Sequence, residues 1–151
     1  MAARSDMAGQ LADRTKFKIW NNDKLRSTDL DHQGHVNNTI FPVFFTSGRH
    51  DFLQVLLRPH VAADDLYALV KITIEYIKEM RYPGEVDVGT LVRSVGGSSV
   101  ALGQALFSKG QCVAVAESVV VLLDPVTRRA KPWPAAAARY LAGLVAAGVP
   151  E

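Results

Sequence analysis

Large apolar residues at Ile40, Phe41, Phe44, Phe45, Phe52, Val55 and Leu56 recur on one face of a 3.6-residue period, so residues 39–58 are expected to form a helix with that face in a core. Its start is confined by chemistry. Asn37, Asn38 and Thr39 are all good caps, and Pro42 is tolerated only in the first turn, where its missing N–H breaks no hydrogen bond. At the other end Arg58 suits the negative pole and Pro59 cannot continue the ladder. The helix is therefore about twenty residues and roughly 30 Å long. A helix of that length in so short a chain must be covered by nearly everything else.

The rest reads mostly as strands. Residues 17–28 carry Phe17, Ile19, Trp20 and Leu25 interrupted by Asn21-Asn22-Asp23, which suggests a strand with a bulge or turn inside it. Residues 67–80 alternate, with Val70, Ile72, Ile74 and Tyr76 on one face and Lys71, Thr73 and Glu75 on the other. Tyr82-Pro83-Gly84, Gly96-Gly97-Ser98 and Lys109-Gly110-Gln111 are turn signals that separate strands at 86–95, 100–108 and 112–123, and Asp124-Pro125 ends the last. Such short links call for antiparallel neighbours, so the class is α+β, with four consecutive strands meandering over the helix. Trp133-Pro134 opens an alanine-rich segment, 135–147, expected as a short surface helix. Residues 1–15 show no period and are expected to be a flexible tail ahead of one domain, 16–151.

Composition narrows the functional classes. At 151 residues and 48% hydrophobic, the chain can build one domain with a real core. Its 17 Lys+Arg against 15 Asp+Glu are scattered, so a nucleic-acid surface is not implied. The lone Cys112 allows no internal disulfide, and no Cys and His pair has the spacing of a zinc site. No apolar run is long enough to span a membrane, and 1–14 lacks the apolar core of a signal peptide, so a cytoplasmic, reducing location is expected.

The chemistry concentrates in one stretch, Asp29-Leu30-Asp31-His32-Gln33-Gly34-His35-Val36-Asn37-Asn38. It is a polar loop leading into the helix, whose unpaired N–H groups and dipole favour negative charge. A carboxylate there is a candidate reaction centre. The plainer readings are that Asp29 and Asp31 are turn or capping acids, that His35 is a hydrogen-bonded structural histidine, and that Asn37 and Asn38 are caps. The phenylalanines are core, Cys112 is a buried inert thiol in a strand, and Arg128, Arg129 and Lys131 form a solvated basic turn unless they catch phosphates.

A strand, then Asp29-Leu30-Asp31 with Gly34-His35-Val36-Asn37-Asn38, a long helix carrying Arg49, and strands closing on Asp124-Pro125 and Arg128-Arg129 resemble the hotdog-fold acyl-CoA thioesterases. The likeness is to the 4-hydroxybenzoyl-CoA thioesterase-like branch and its acyl-carrier-protein thioesterase relatives, over roughly residues 17–141. The resemblance implies a five-stranded antiparallel sheet wrapped around one long central helix. It also implies a homodimer or homotetramer with protomers paired through edge strands and the active site between them. Asp31 matches the carboxylate used as nucleophile or general base, with Asp29 mainly structural. Asn38 falls where a backbone N–H polarises the thioester carbonyl. The Asp, Asn and His of the plant acyl-carrier-protein enzymes fall on Asp31, Gln33 and His35, with Gln33 replacing the Asn, and their further downstream acid has no matched position. Expected site residues are thus Asp31 and His35 for catalysis, and Gly34, Val36, Asn37, Asn38 and Arg128 for substrate. No metal or redox cofactor is implied, and coenzyme A enters as part of the substrate.

These residue types suit the reaction. N–H groups at a helix start can receive a developing oxyanion without reorganising. The departing thiol, with a pKa near the roughly 8.5 of a cysteine, leaves as thiolate with little proton donation, so one carboxylate can suffice. Asp31 can attack directly or deprotonate a water, and His35 can orient that water or carry its proton. Two rival functions share the groove: a non-catalytic acyl-thioester sensor or carrier, and an enoyl-thioester hydratase or dehydratase. The latter enzymes usually space Asp and His by about five residues, against four here.

Overall fold

The computed structural model describes residues 5–148, in the order α1 (Asp6–Leu11), β1 (Ile19–Lys24), α2 (Phe41–Asp51), β2 (Leu66–Tyr76), β3 (Glu85–Val95), β4 (Ser99–Ser108), β5 (Gln111–Leu123) and α3 (Ala135–Gly148). Helix α2 begins as expected, with Pro42 in its first turn. It runs on through a π-helical segment, Phe52–Leu57, and a 3-10 turn, Arg58–His60, giving one helical body over 41–60. The wider π turn shifts the phase of the apolar stripe. That explains why Phe52 is buried while Val55 and Leu56, expected in the core, lie exposed. The start carries no side-chain cap; Asn37 instead accepts the N–H and hydroxyl of Thr39, closing a turn of its own before the helix.

The five strands form one antiparallel sheet in the order β1-β3-β4-β5-β2. This is the wrapped sheet the resemblance implies, but not a meander of four consecutive strands. Only β3-β4-β5 meander, while β2 pairs with β5 at the far edge. The link between β2 and β3 is eight residues, 77–84, and at about 3.3 Å each it reaches some 26 Å, ample to cross three strand spacings of about 4.8 Å. A short link therefore did not require neighbouring strands. On its way the link is braced to the polar loop, Met80 O accepting the Val36 N–H at 3.0 Å, and to the end of β1, Gly84 O accepting the Leu25 N–H at 2.9 Å. β1 pairs without a break from Ile19 to Lys24, so Asn21-Asn22-Asp23 form neither bulge nor turn. As an edge strand it can carry polar side chains, and Asn22 donates to Asp87 across the pair at 2.8 Å. The register shifts instead in β2, between Leu69 and Lys71, where Leu69 and Val70 are exposed, and again between Val92 and Ser94 in the β3–β4 ladder and between Leu106 and Phe107 in the β4–β5 ladder.

The sheet's concave face holds α2. Phe41, Phe44 and Phe45 pack with Val86, Val88, Leu106 and Ala116, and Phe52 and Leu57 with Val92, Leu102, Val120 and Leu122. Close approach is possible because Gly48 has no side chain: a Cβ there would stand 2.6 Å from Val88 Cγ1. On the alternate positions of β3–β5, Leu91, Ala105, Phe107 and Val115 face the other way and receive Ala8 and Leu11 of α1. Of the expected tail, residues 1–4 lie outside the described residues, and 5–15 are not structureless. Ser5 caps α1 by accepting the Ala8 N–H at 3.1 Å, and Gly103 leaves the slot that Leu11 fills. Two apolar residues in one turn are too few to register as a period. Helix α3 is likewise more than a surface helix, since Ala137 and Leu141 are fully buried beside Trp133. No helix among the described residues is long and apolar enough to cross a membrane.

Candidate functional site

The polar loop folds on itself around one carboxylate. Asp31 Oδ1 accepts the N–H groups of Gln33 at 2.8 Å and His35 at 3.1 Å, and Asp31 exchanges backbone hydrogen bonds with His35 and Gly34. Gly34 takes φ of +81°, a left-handed conformation that side chains resist, so a glycine suits the closing of this turn. Asp29, two residues earlier, points the other way: it is buried, its carboxylate accepts the Arg26 N–H at 2.9 Å, and its carbonyl accepts the Asn37 N–H at 2.8 Å. Asp29 builds the loop, as expected, and Asp31 is presented by it.

Loss of water around Asp31 pulls its pKa up, but the two amide donors and the nearby imidazoles of His35 and His32 outweigh it and hold the carboxyl below its ordinary range. Asp31 is therefore a carboxylate at neutral pH. Among the described residues nothing hydrogen-bonds its Oδ2. A third component was not foreseen from sequence. His35 Nε2 lies 2.6 Å from Glu79 Oε2, and Glu79 also meets Arg81 at 3.3 Å. Glu79 sits on the 77–84 link, and only knowledge that β2 pairs with β5 carries that link past the loop; no local pattern announces it.

The helix start completes the arrangement. No hydrogen bond is made by the backbone N–H of Asn38, in the turn before the helix, or of Phe41, in its first turn, among the described residues. Asn38 O accepts the Tyr76 hydroxyl at 2.8 Å, and the Phe41 and Tyr76 rings meet edge to face at 5.0 Å. Asp31, His35, Asn38, Phe41, Tyr76 and Glu79 line one cavity of about 360 Å³, with Val36 and Gln33 also on its wall.

Of the expected residues, Asp31, His35, Val36 and Asn38 thus come together, Gly34 shapes the turn, and Asn37 supports the entry to the helix. Arg128 does not join them within one chain. It is exposed in the turn after β5, and because Leu123 pairs with Leu66, that turn lies at the opposite end of β2 from Tyr76, roughly 30 Å along the strand. Cys112 is only half-buried and outside the cavity. Among the described residues no three His, Cys, Asp or Glu side chains are grouped so as to hold a metal ion. The geometry brings an ionised carboxylate, a histidine–glutamate pair and residues at the helix entry with unengaged N–H groups to one cavity, which suits attack on a carbonyl.

Known proteins resemble the chain in sequence and in fold. Residues 25–141 match the thioesterase-like superfamily. No curated protein sequence matches the chain. Among solved structures it is similar to a predicted thioesterase from Bacillus stearothermophilus, with 26% identity over 84% of this chain and 96% of that one and a TM-score of 0.76. It is similar to the PA5185 protein of Pseudomonas aeruginosa, with 25% identity over 89% and 96% and a TM-score of 0.76. It shares its fold with a thioesterase from Thermus thermophilus complexed with coenzyme A and Zn, at 24% identity over 87% and 96% and a TM-score of 0.73. The family match takes in the polar loop, the long helix and all of β2–β5, and the chain, a hotdog-fold protein, belongs to the thioesterase-like superfamily.

Proposed function

We propose that this protein hydrolyses acyl thioesters of coenzyme A to a carboxylic acid and a free thiol, with Asp31 as nucleophile or general base. The observation that carries the reading is the cavity that Asp31, with Oδ2 unengaged, shares with Asn38 and Phe41, two residues beside the helix start whose N–H groups are unengaged. Coenzyme A is favoured over a carrier protein because two proteins of the same fold, one from Staphylococcus aureus and one from Thermus thermophilus, have been solved with it.

In the water route Asp31 takes a proton from water as its oxygen bonds to the thioester carbon, and the carbonyl oxygen gathers charge towards the helix-start N–H groups. The C–S bond then breaks, the thiolate leaves, and the proton held by Asp31 passes to solvent. In the direct route Asp31 Oδ2 bonds to the carbon, the thiolate departs, and water cleaves the resulting anhydride. Both consume one water and require no redox cofactor. His35, held by Glu79, orients the water or carries its proton. Arg128, at the far end of the sheet, would reach a coenzyme A phosphate only from a partner subunit. A homodimer joined through β2, whose edge carries the exposed Leu69 and Val70, is part of this reading.

The test is thiol release, followed with a thiol-reactive dye, from acetyl-, hexanoyl-, lauroyl- and benzoyl-CoA and from an acyl-carrier-protein thioester. Turnover of at least one coenzyme A ester is expected. If every ester survives, the reading is wrong, and preference for the carrier-protein ester would correct its substrate class.

A further inference from the structure

We infer that Tyr76 is a positioning residue for the carbonyl-binding end of this cavity: the end of β2 holds the two residues whose N–H groups are unused. The inference rests on the hydrolase reading above and names a residue that reading does not use. Tyr76 is the last residue of β2, paired with Ala114 of β5, so its backbone belongs to the rigid sheet. From there its side chain reaches both donors' residues. The hydroxyl donates to Asn38 O at 2.8 Å, and the ring meets the Phe41 ring edge to face at 5.0 Å and 61°.

The entry to that turn is held by the Asn37 N–H, which donates to Asp29 O at 2.8 Å, and by the Val36 N–H, which donates to Met80 O at 3.0 Å; beyond Asn37 the hydrogen bonds lie within the turn. Asn37 Oδ1 is engaged by Thr39, Asn37 O accepts the Ile40 N–H at 2.9 Å, and Ile40, at the cap position, offers no side-chain hydrogen bond. These contacts are local and would move with the turn. Among the described residues the Tyr76 hydroxyl makes the hydrogen bond that ties Asn38 O to a distant element, 38 residues away in sequence. Satisfaction of a buried group does not explain the bond, because Tyr76 is 49% exposed and water could replace its hydroxyl at Asn38 O. What water cannot replace is the fixed distance from β2. An oxyanion donor works by being aimed before charge develops, so a carbonyl anchor one residue away governs the direction of the Asn38 N–H.

The test is Tyr76→Phe, which keeps the ring contact and removes only the hydroxyl, with Tyr76→Leu removing both. Losing an oxyanion donor outright typically lowers kcat a hundred-fold or more, so loosening one is expected to lower kcat about ten-fold in Tyr76→Phe and further in Tyr76→Leu. KM for the best coenzyme A ester of the panel should stay within about two-fold. A spectroscopic readout separates positioning from mere support: benzoyl-CoA bound to Asp31→Asn protein should show a lowered thioester carbonyl stretch by Raman difference, and Asp31→Asn/Tyr76→Phe should lose part of that lowering. Unchanged kcat in Tyr76→Phe, a change in KM alone, or an unaltered carbonyl frequency each overturns the inference. If wild type itself releases no thiol, the hydrolase reading fails and this role falls with it; active wild type beside an equally active Tyr76→Phe refutes the positioning role alone.

Discussion

Gly48→Ala should destabilise the protein, although alanine ordinarily strengthens a helix. Propensity alone would favour the substitution by about 1 kcal/mol. Against this, the added Cβ would stand 2.6 Å from Val88 Cγ1, 3.1 Å from Gln104 Nε2 and 3.4 Å from Thr90 Oγ1. Val88 is fully buried and β-branched, so it has little freedom to turn away. Gln104 Nε2 donates to Phe45 O at 3.0 Å and to Thr90 Oγ1 at 3.1 Å, so displacing it strains two buried hydrogen bonds worth about 1 kcal/mol each. Overpacking of this kind typically costs about 1–3 kcal/mol, and with the hydrogen-bond strain the net loss should be about 2 kcal/mol. For a chain of this size that lowers Tm by about 4–8 °C. Gly143→Ala in α3 supplies the control, because a Cβ there has nothing within 4 Å and should raise Tm slightly. The assay is thermal unfolding of both variants beside wild type at one protein concentration. A Gly48→Ala protein that melts at or above wild type would refute the claim that this glycine sets the distance between helix and sheet.

Three further outcomes follow from the site. The Asp31 carboxyl, held down by its two amide donors, should titrate by carbon-13 NMR with a midpoint below its ordinary 3.8; its charged form is stabilised by folding, so its contribution to stability is present above the unfolded pKa and is lost as pH falls through the lower folded value, and a midpoint at or above 4 contradicts the geometry. Glu79→Gln should lower kcat/KM about ten-fold and alter its pH profile while changing stability by less than about 1 kcal/mol, because the His35–Glu79 pair is partly exposed; an unchanged profile removes Glu79 from the mechanism. Light scattering at micromolar concentration should give at least a dimer, and Val70→Lys on the exposed edge of β2 should shift it towards monomer; a monomeric wild type would contradict the paired-edge arrangement.

What the sequence made legible is what depends on near neighbours. The 39–58 period located α2 because one face of it meets the sheet along most of its length, and Pro42 marked its first turn. Asp31 and His35 could be singled out because the turn that presents them is closed by residues 31–35 alone. Long-range placement was not legible. Nothing local says that β2 pairs with β5, and that pairing is what carries Glu79 to His35 and Tyr76 to Asn38. The same pairing puts Arg128 at the opposite end of β2 from the cavity. Val55 and Leu56 were misplaced because a 3.6-residue period does not hold through a π-helical segment. Helix α1 escaped notice because its core contribution is Ala8 and Leu11, meaningful only once Gly103 provides the slot.

The central claim, thioester hydrolysis through Asp31, is tested most directly by single-turnover thiol release from the best coenzyme A ester by wild type and by Asp31→Asn, with binding of that ester measured for both. The account predicts comparable binding and a loss of at least a thousand-fold in the release rate of Asp31→Asn. Release by Asp31→Asn at a rate near that of wild type would contradict it.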